Sequence, residues 1–512
     1  MKNRCVLPLL LILLAVSPLL KGQRIYYSEI EKDDNRQMNF EIIGKVQGNI
    51  LVYKNYRNKN DLCVYDNEMK LKNKIRLDFM PDRVVNVDFV AYPDFFYMIY
   101  QFQKRNIVHC AVVKMDGEGK KAFDAYDIDT TQINSFGDNK IYSTINSEDK
   151  QKIMVFKINK RDEKRYVFTT LLFNAALELQ KKSRWAVASS DREGVFTEFL
   201  LDNDGDLSFG RCGRSGNRDY INRFDLLVKP AMEDTFPVYN IKLTDKTLDE
   251  VRLKVDNINK RIIINSFYYK QRRGNIDGIY VVTWDKHNGK IFSENTFAFN
   301  DELRADAKAE NASLRMAFND YFIRNIIPKK DGGFLVIGEL YYSTSRSGGW
   351  NRWDYLYGYN SFTPMDYWYF SPYSSFNYYR WWDPWNRWGG YSSTRHYYEN
   401  VAVFSFSSDA KLEWTNFIRK TQYEDNSDVT LSYQLFNTGG ELHFLFNQLE
   451  RRSLLLNDQS VGPDGQIKRN PTLRNLDKGY EFMPRFGKQT GARQLVIPCM
   501  TRNYICFAKL DF

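Results

Sequence analysis

Arg380-Trp381-Trp382-Asp383-Pro384-Trp385-Asn386-Arg387-Trp388 places four tryptophans and two arginines within nine residues. Such a run does the chemistry of contact rather than of bond making. Indole rings give large rigid surfaces with a polar edge, and a guanidinium stacks on rings or forks onto carboxylates. Trp350, Trp353 and Trp368 belong to the same concentration, together with Arg346 and Arg352. It runs over 341–398 and holds seven of the chain's ten tryptophans and thirteen tyrosines. A stretch so rich in aromatics is not simple disorder, and a loop of this length inside a compact domain is normally functional. Its rings either pack on one another as a lid or form a recognition surface. Flat rings suit sugars as well as proteins, and the spacing does not choose between them.

Groups that could make or break bonds are sparse. The chain has four histidines, His109, His287, His396 and His443, none at metal-pair spacing. No nucleophile elbow, glycine-rich phosphate loop or paired-cysteine metal motif occurs. Gly210-Arg211-Cys212-Gly213 reads as a loop carrying a thiol. Asp202-Asn203-Asp204-Gly205-Asp206 has the composition of a calcium loop but lacks the closing Glu, and Asp, Asn and Gly favour a plain turn for backbone reasons. Asn311-Ala312-Ser313 is a glycosylation sequon. No catalytic residue, metal-ligand set or cofactor is therefore assigned from the sequence.

The elements that must position the aromatic segment repeat along the chain. Apolar strands at 50–53, 95–100, 141–145, 262–267, 334–339 and 495–497 are each followed by a second, as in Cys110-Ala111-Val112-Val113 and Tyr280-Val281-Val282-Thr283. Further first strands lie at 195–200 and 442–446. The second strands lead into turns of Asp, Asn, Gly and Lys. A recurrence of about 45 residues is the period of four-stranded propeller blades. The expected fold is all-β, a single β-propeller of about seven four-stranded blades over 23–512, with 341–398 inserted in one blade; a β-sandwich is the alternative. Eight first strands can be counted, and the last unit runs out before its outer strand. Residues 24–46 could supply that strand and close the ring without a covalent link. Helical signals are few, the best at 169–182, which reads equally as a strand and loop.

Lys2 and Arg4 before an apolar run over 6–20 read as a signal peptide spanning 1–22, too short to cross a bilayer, with no second long apolar segment after it. This predicts export to the periplasm, cell surface or medium. Removing Lys2, Arg4 and Lys21 lowers the formal charge from +10 to +7. Acids interleave with the bases, as in Lys160-Arg161-Asp162-Glu163-Lys164-Arg165, which argues against nucleic acid as a partner. Five cysteines then remain, an odd number. Cys63, Cys110 and Cys506 fall at equivalent places in the repeat, as small buried hydrophobes do. A tight turn at Arg502-Asn503 would set Cys499 across from Cys506, where an oxidising compartment permits a disulfide.

Lys330-Asp331-Gly332-Gly333-Phe334-Leu335-Val336-Ile337-Gly338 and Asp409-Ala410-Lys411-Leu412-Glu413-Trp414 resemble segments of secreted bacterial β-propeller repeat proteins, many of them uncharacterised. The resemblance covers about two repeats clearly. It implies a propeller fold and export across the inner membrane rather than an activity. The Ser-x-Asp-x-Gly-x-Thr-Trp turn of sialidase-type propellers is absent, and the last residues read as a propeller strand rather than a sorting domain. The functional expectation is a non-enzymatic binding or assembly module that contacts an envelope or extracellular protein, or a glycan. The contacts would run through Trp350, Trp353, Trp368, Arg380, Trp381, Trp382, Trp385, Arg387 and Trp388. The alternative is a polysaccharide-active enzyme with its acid and base on different blades. Carboxylates clustered at one channel mouth would favour that alternative.

Overall fold

The computed structural model describes residues 23–512 except 31–37, 57–58, 134–140, 163–164, 189–193, 215–219, 272–273, 310–311, 346–351, 353–355, 357–393, 451–452, 474–480 and 502–503. The expected signal peptide, 1–22, and the sequon asparagine lie outside the described residues.

One turn recurs through the chain and makes its hairpins. In Asp66–Lys70 the Asp66 carboxylate accepts hydrogen bonds from the backbone N–H groups of Glu68 and Lys70, at 2.8 and 2.9 Å. Asp116, Asn174 and Asp202 do the same for the residues two and four places on. The fourth residue of each turn has positive φ: Met69, Gly119, Leu177 and Gly205. This is a type I turn followed by a left-handed residue, with a side-chain oxygen satisfying N–H groups that the turn leaves unpaired. Hence these turns begin with Asp or Asn.

Between such turns the chain forms antiparallel four-stranded meanders. The first has Met38–Val46, Asn49–Tyr56, Lys59–Tyr65 and Leu71–Arg76 in spatial order. The strands that the sequence marks as a first pair are its second and third. In the third meander the expected pair is instead the first and second strands, Tyr142–Asn146 and Lys152–Asp162, and the helix candidate is two strands, Arg165–Asn174 and Leu179–Ala188, joined by a turn. The one described helix longer than a single turn, Asp301–Ala307, is capped by the Asn300 side chain accepting from Leu303 N–H and sits in a connection. No helix among the described residues is long and apolar enough to cross a membrane.

The described strands form seven sheets. One has nine strands, because two meanders are joined by the single pairing Ile221↔Leu248. Counted as meanders there are eight among the described residues, one for each first strand in the sequence and one more than the expected seven blades, because the last unit borrows the N-terminal strand and counts as a full meander. The architecture is all-β and propeller-like. Each sheet packs between two neighbours, which a two-sheet sandwich would not do: Leu51 and Val64 pack with Met98 and Val113, Ile99 and Val112 with Val155 and Leu171, and so on along the chain. The last sheet packs back on the first, with Val496, Ile505 and Phe507 against Phe40, Ile50 and Val52. Phe40 meets Phe507 edge to face at 5.3 Å, a contact worth about 0.5–1.5 kcal/mol beyond its burial.

The N-terminal strand completes this arrangement. Arg24–Tyr27 pairs antiparallel with Tyr504–Asp511 as the edge strand of the last sheet, from Arg24↔Asp511 to Tyr27↔Ala508. That part of 24–46 supplies the missing strand, while Met38–Val46 opens the first meander. Fourth strands such as Leu71–Arg76 and Lys290–Ala298 are largely exposed, whereas first strands lie against the first strands of their neighbours. First strands therefore form the inner layer.

Candidate contact surface

In an antiparallel meander the loop between strands two and three and the exit from strand four leave at the same end. The aromatic segment lies in such a loop, so it shares an end with the connections between meanders. The structure trims it: Phe334–Ser345 and Thr394–Phe406 stay paired as far as Ser345↔Thr394, because Tyr and Thr favour strands. Leu412–Ile418 covers only the lower part of the second strand. The chain then steps sideways, and Gln422–Asp425 covers Arg395 to Tyr398. The result is a three-stranded stalk beneath the insertion.

Strand alternation gives the stalk two different faces. On one, Tyr342 and Tyr397 stack at 4.6 Å and 9°, and Tyr423 follows at 6.1 Å. The Arg395 guanidinium lies over the Tyr423 ring at 5.1 Å and forks onto Asp425 at 2.7 and 3.0 Å. Tyr423 is 56% exposed. On the other face, Tyr341 and Tyr398 meet at 4.6 Å, and His396 stacks on Tyr341. The Tyr398 hydroxyl donates to Asp428 and accepts from Arg485, both at 2.8 Å. Burial holds His396 below its ordinary value, so it is neutral near pH 7. Beneath it Lys420 pairs with Glu339 at 2.8 Å, both fully buried, and Ser432 donates to the same carboxylate at 2.7 Å.

Arg352 shows how the insertion is held. Its guanidinium grips both oxygens of Asp249, donates to the Asn319 carbonyl at 3.2 Å and lies 3.9 Å over the Phe322 ring. Asp249 is fully buried and also accepts from the Tyr269 hydroxyl at 3.1 Å. The arginine expected to fork onto a carboxylate does so within the chain. Trp350, Trp353, Trp368, Arg380, Trp381, Trp382, Trp385, Arg387 and Trp388 lie outside the described residues.

Two carboxylates invisible to motif reading meet on the inner layer. Glu198, from the fourth meander, and Glu250, from the first strand of the fifth, both pair with Arg252, the former at 3.9 Å. Glu198 also accepts from Leu253 N–H at 2.9 Å, yet burial holds its carboxyl above the usual range. They lie 52 positions apart with no local signature, so no linear search could pair them.

The other candidates resolve into structure. The Asp202–Asp206 segment is the recurrent turn, and a lysine ammonium occupies its acidic centre: Lys286 pairs with Asp202, Asp204 and Asp206. Asp204 is held down to about 2 by hydrogen bonds from Lys260 and Lys286, while burial keeps Asp202 raised. His109 pairs with Asp127 at 2.7 Å and stacks on Phe102; His443 pairs with Asp458 at 3.0 Å. Cys212 is buried, and burial pushes its thiol up, away from reactivity. Cys499 and Cys506 stand opposite each other as two thiols, their sulfurs 2.7 Å apart.

No protein family matches this chain, and no curated protein does. Among solved structures it is similar to prolyl oligopeptidase B from Galerina marginata, at 8% identity and a TM-score of 0.40, over 92% of this chain but only 56% of that one. It is also similar to an ulvan lyase, a polysaccharide lyase, at 9% and 0.35, over 82% and 90% of the two chains. A third is the Synechocystis apocarotenoid oxygenase, at 7% and 0.34, over 96% and 93%.

Proposed function

We propose that the chain is an exported, non-enzymatic binding module, a closed β-propeller of eight blades whose contact surface is the insertion end. The partner class is an envelope or extracellular protein. The observation that carries this reading is the row of Tyr342 stacked on Tyr397, with Tyr423 tilted beside it under the Arg395 guanidinium. Tyr342 and Tyr397 cover each other's flat faces and Arg395 covers that of Tyr423, which leaves ring edges for a partner, while the Tyr342 hydroxyl is held by Glu399. A sugar ring needs a free face, whereas protein interfaces use tyrosine edges and hydroxyls readily.

The test is a cross-linking pull-down from envelope and culture fractions with residues 23–512. Parallel samples replace 346–393 by a short Gly-Ser turn, or carry Tyr397→Ala with Tyr423→Ala, after circular dichroism confirms folding. Specific proteins held by the intact chain and lost from both variants support the reading. Identical capture by all three removes it.

A second reading, a polysaccharide-active propeller, has one observation in its favour: Glu198 and Glu250 come from different meanders and converge on the inner layer. Arg252 lies between them, and burial holds the Glu198 carboxyl above its usual range, as a general acid requires. Activity on a polysaccharide panel that disappears in Glu198→Gln and Glu250→Gln would favour this second reading.

A further inference from the structure

The last sheet receives the N-terminal strand, and its central hairpin carries two thiols in direct opposition. Cys499 pairs in register with Cys506, both side chains are fully buried, and the sulfurs are 2.7 Å apart. The backbone fixes the kind of pair. Phe507 N–H donates to the Ser28 hydroxyl at 3.0 Å, and its carbonyl accepts from Ser28 N–H at 2.8 Å. The Pro498 carbonyl accepts from Met483 N–H at 2.9 Å. Pro498 and Phe507 thus turn their polar groups away from each other, so the adjacent Cys499–Cys506 pair is the hydrogen-bonded kind. Its Cα atoms are then about 5.5 Å apart, inside the range that disulfides span.

We infer that Cys499 and Cys506 form an intramolecular disulfide that staples this hairpin. It is set during folding and then sealed by burial. One thiolate attacks the sulfur–sulfur bond of a disulfide oxidant and displaces one thiolate from it. The second cysteine thiolate attacks the mixed disulfide and releases the other half of the oxidant. Two protein thiols are oxidised, the oxidant gains two electrons, and two protons end on its thiols. Burial raises the Cys499 thiol, so a thiolate is scarce once the sheet is closed and exchange belongs to the open chain. Strand 504–511, which carries Cys506, also receives Arg24–Tyr27, so the staple fixes the edge on which the N-terminal strand docks.

Competing pairings are blocked by the sheet. Cys63 packs with Val496, Ile505 and Phe507 on one face, whereas Cys499 and Cys506 lie with Leu495, Ile497 and Ala508 on the other. Cys110 and Cys212 belong to other clusters. The inference is independent of the proposed contact function and of export, since the test is made on purified protein.

Residues 23–512 are unfolded with denaturant and dithiothreitol, then refolded in a glutathione redox mixture or in excess dithiothreitol. N-ethylmaleimide blocks the remaining thiols under denaturing conditions, and intact mass counts them. The expected result is three blocked thiols after oxidative refolding and five after reductive refolding. Because trypsin cuts after Arg502, the bond joins peptides 494–502 and 503–509, which separate on reduction. Five blocked thiols after oxidative refolding, or glutathione retained on either cysteine, would overturn the inference. Cys506→Ala should block four thiols and yield no linked pair. A further loss of two thiols in that variant would assign the bond to other residues and equally overturn it.

Discussion

Arg352→Ala removes a side chain of the insertion that reaches a buried carboxylate of the fifth meander, and the loss can be sized. The guanidinium contributes hydrogen bonds to both Asp249 oxygens, one to the Asn319 carbonyl, and a face-on contact with Phe322. Truncation leaves a fully buried carboxylate facing the neutral Tyr269 hydroxyl. Breaking a buried pair from one side costs about 3–5 kcal/mol, because the surviving charge is stranded. At about 1.4 kcal/mol per tenfold, the docked insertion loses two to three and a half powers of ten in population. Asp249→Asn combined with Arg352→Ala removes the stranded charge and should recover about 0.5–3 kcal/mol as a coupling energy. Urea unfolding followed by fluorescence measures the cost. Limited trypsin digestion measures undocking, since Arg346, Arg380 and Arg387 are cleavable sites in the insertion. If Arg352→Ala unfolds within about 0.5 kcal/mol of the parent and is cut at the same rate, Arg352 does not anchor the insertion.

Two further predictions concern protons. Burial holds His396 below the ordinary imidazole value of 6.5, with the Asp428 charge opposing and Arg485 adding to the effect, and it faces the Tyr341 hydroxyl. The fold prefers the neutral ring, so its contribution is intact above pH 6.5 and lost as pH falls below that through the lower value of the folded state. Backbone exchange at 341–345 and 394–398 should quicken between pH 7 and 5, and His396→Asn should flatten that dependence. Asp204 is lowered from 3.8 to about 2 by Lys260 and Lys286. Its contribution is present above 3.8 and lost as pH falls towards 2. Asp204→Asn should flatten the acid limb of the stability curve there, and an unchanged limb would remove the role given to that pair.

The strands were legible where both faces are apolar, as in Asn49–Tyr56, which is buried for its first six residues. Their place within each meander was not, because a strand buried on both faces has no alternation from which to read its neighbours. Outer strands such as Leu71–Arg76, with sequence LKNKIR, are polar and escape an apolar search. First strands such as Thr247–Asp256 carry the inner-layer charges and escape it too. The turns were legible in composition, and the structure adds the reason in the Asx hydrogen bonds. The aromatic segment was visible as composition, but its ends are strand, and Arg352 meets Asp249 across 103 positions with no linear signal.

If the proposed binding function holds, the charges at the base of the stalk leave recognition to aromatic edges. Arg485 is paired with Asp428, Lys420 with Glu339, Arg352 with Asp249 and Arg395 with Asp425. A cation already held by a carboxylate gives up little to a soluble anion, because the new contact must replace an existing one. Two of these pairs are buried, where separating the charges is costliest, so they set the position of the stalk rather than select its partner. The stalk that they fix presents Tyr397 and Tyr423 in one geometry before any partner arrives, which lowers the ordering cost of binding. Replacing Lys420 and Glu339 together by Met and Leu should therefore keep the fold and weaken partner capture only if the stalk loosens. Lost capture with unchanged exchange at 394–398 would mean that the position of the stalk does not govern capture.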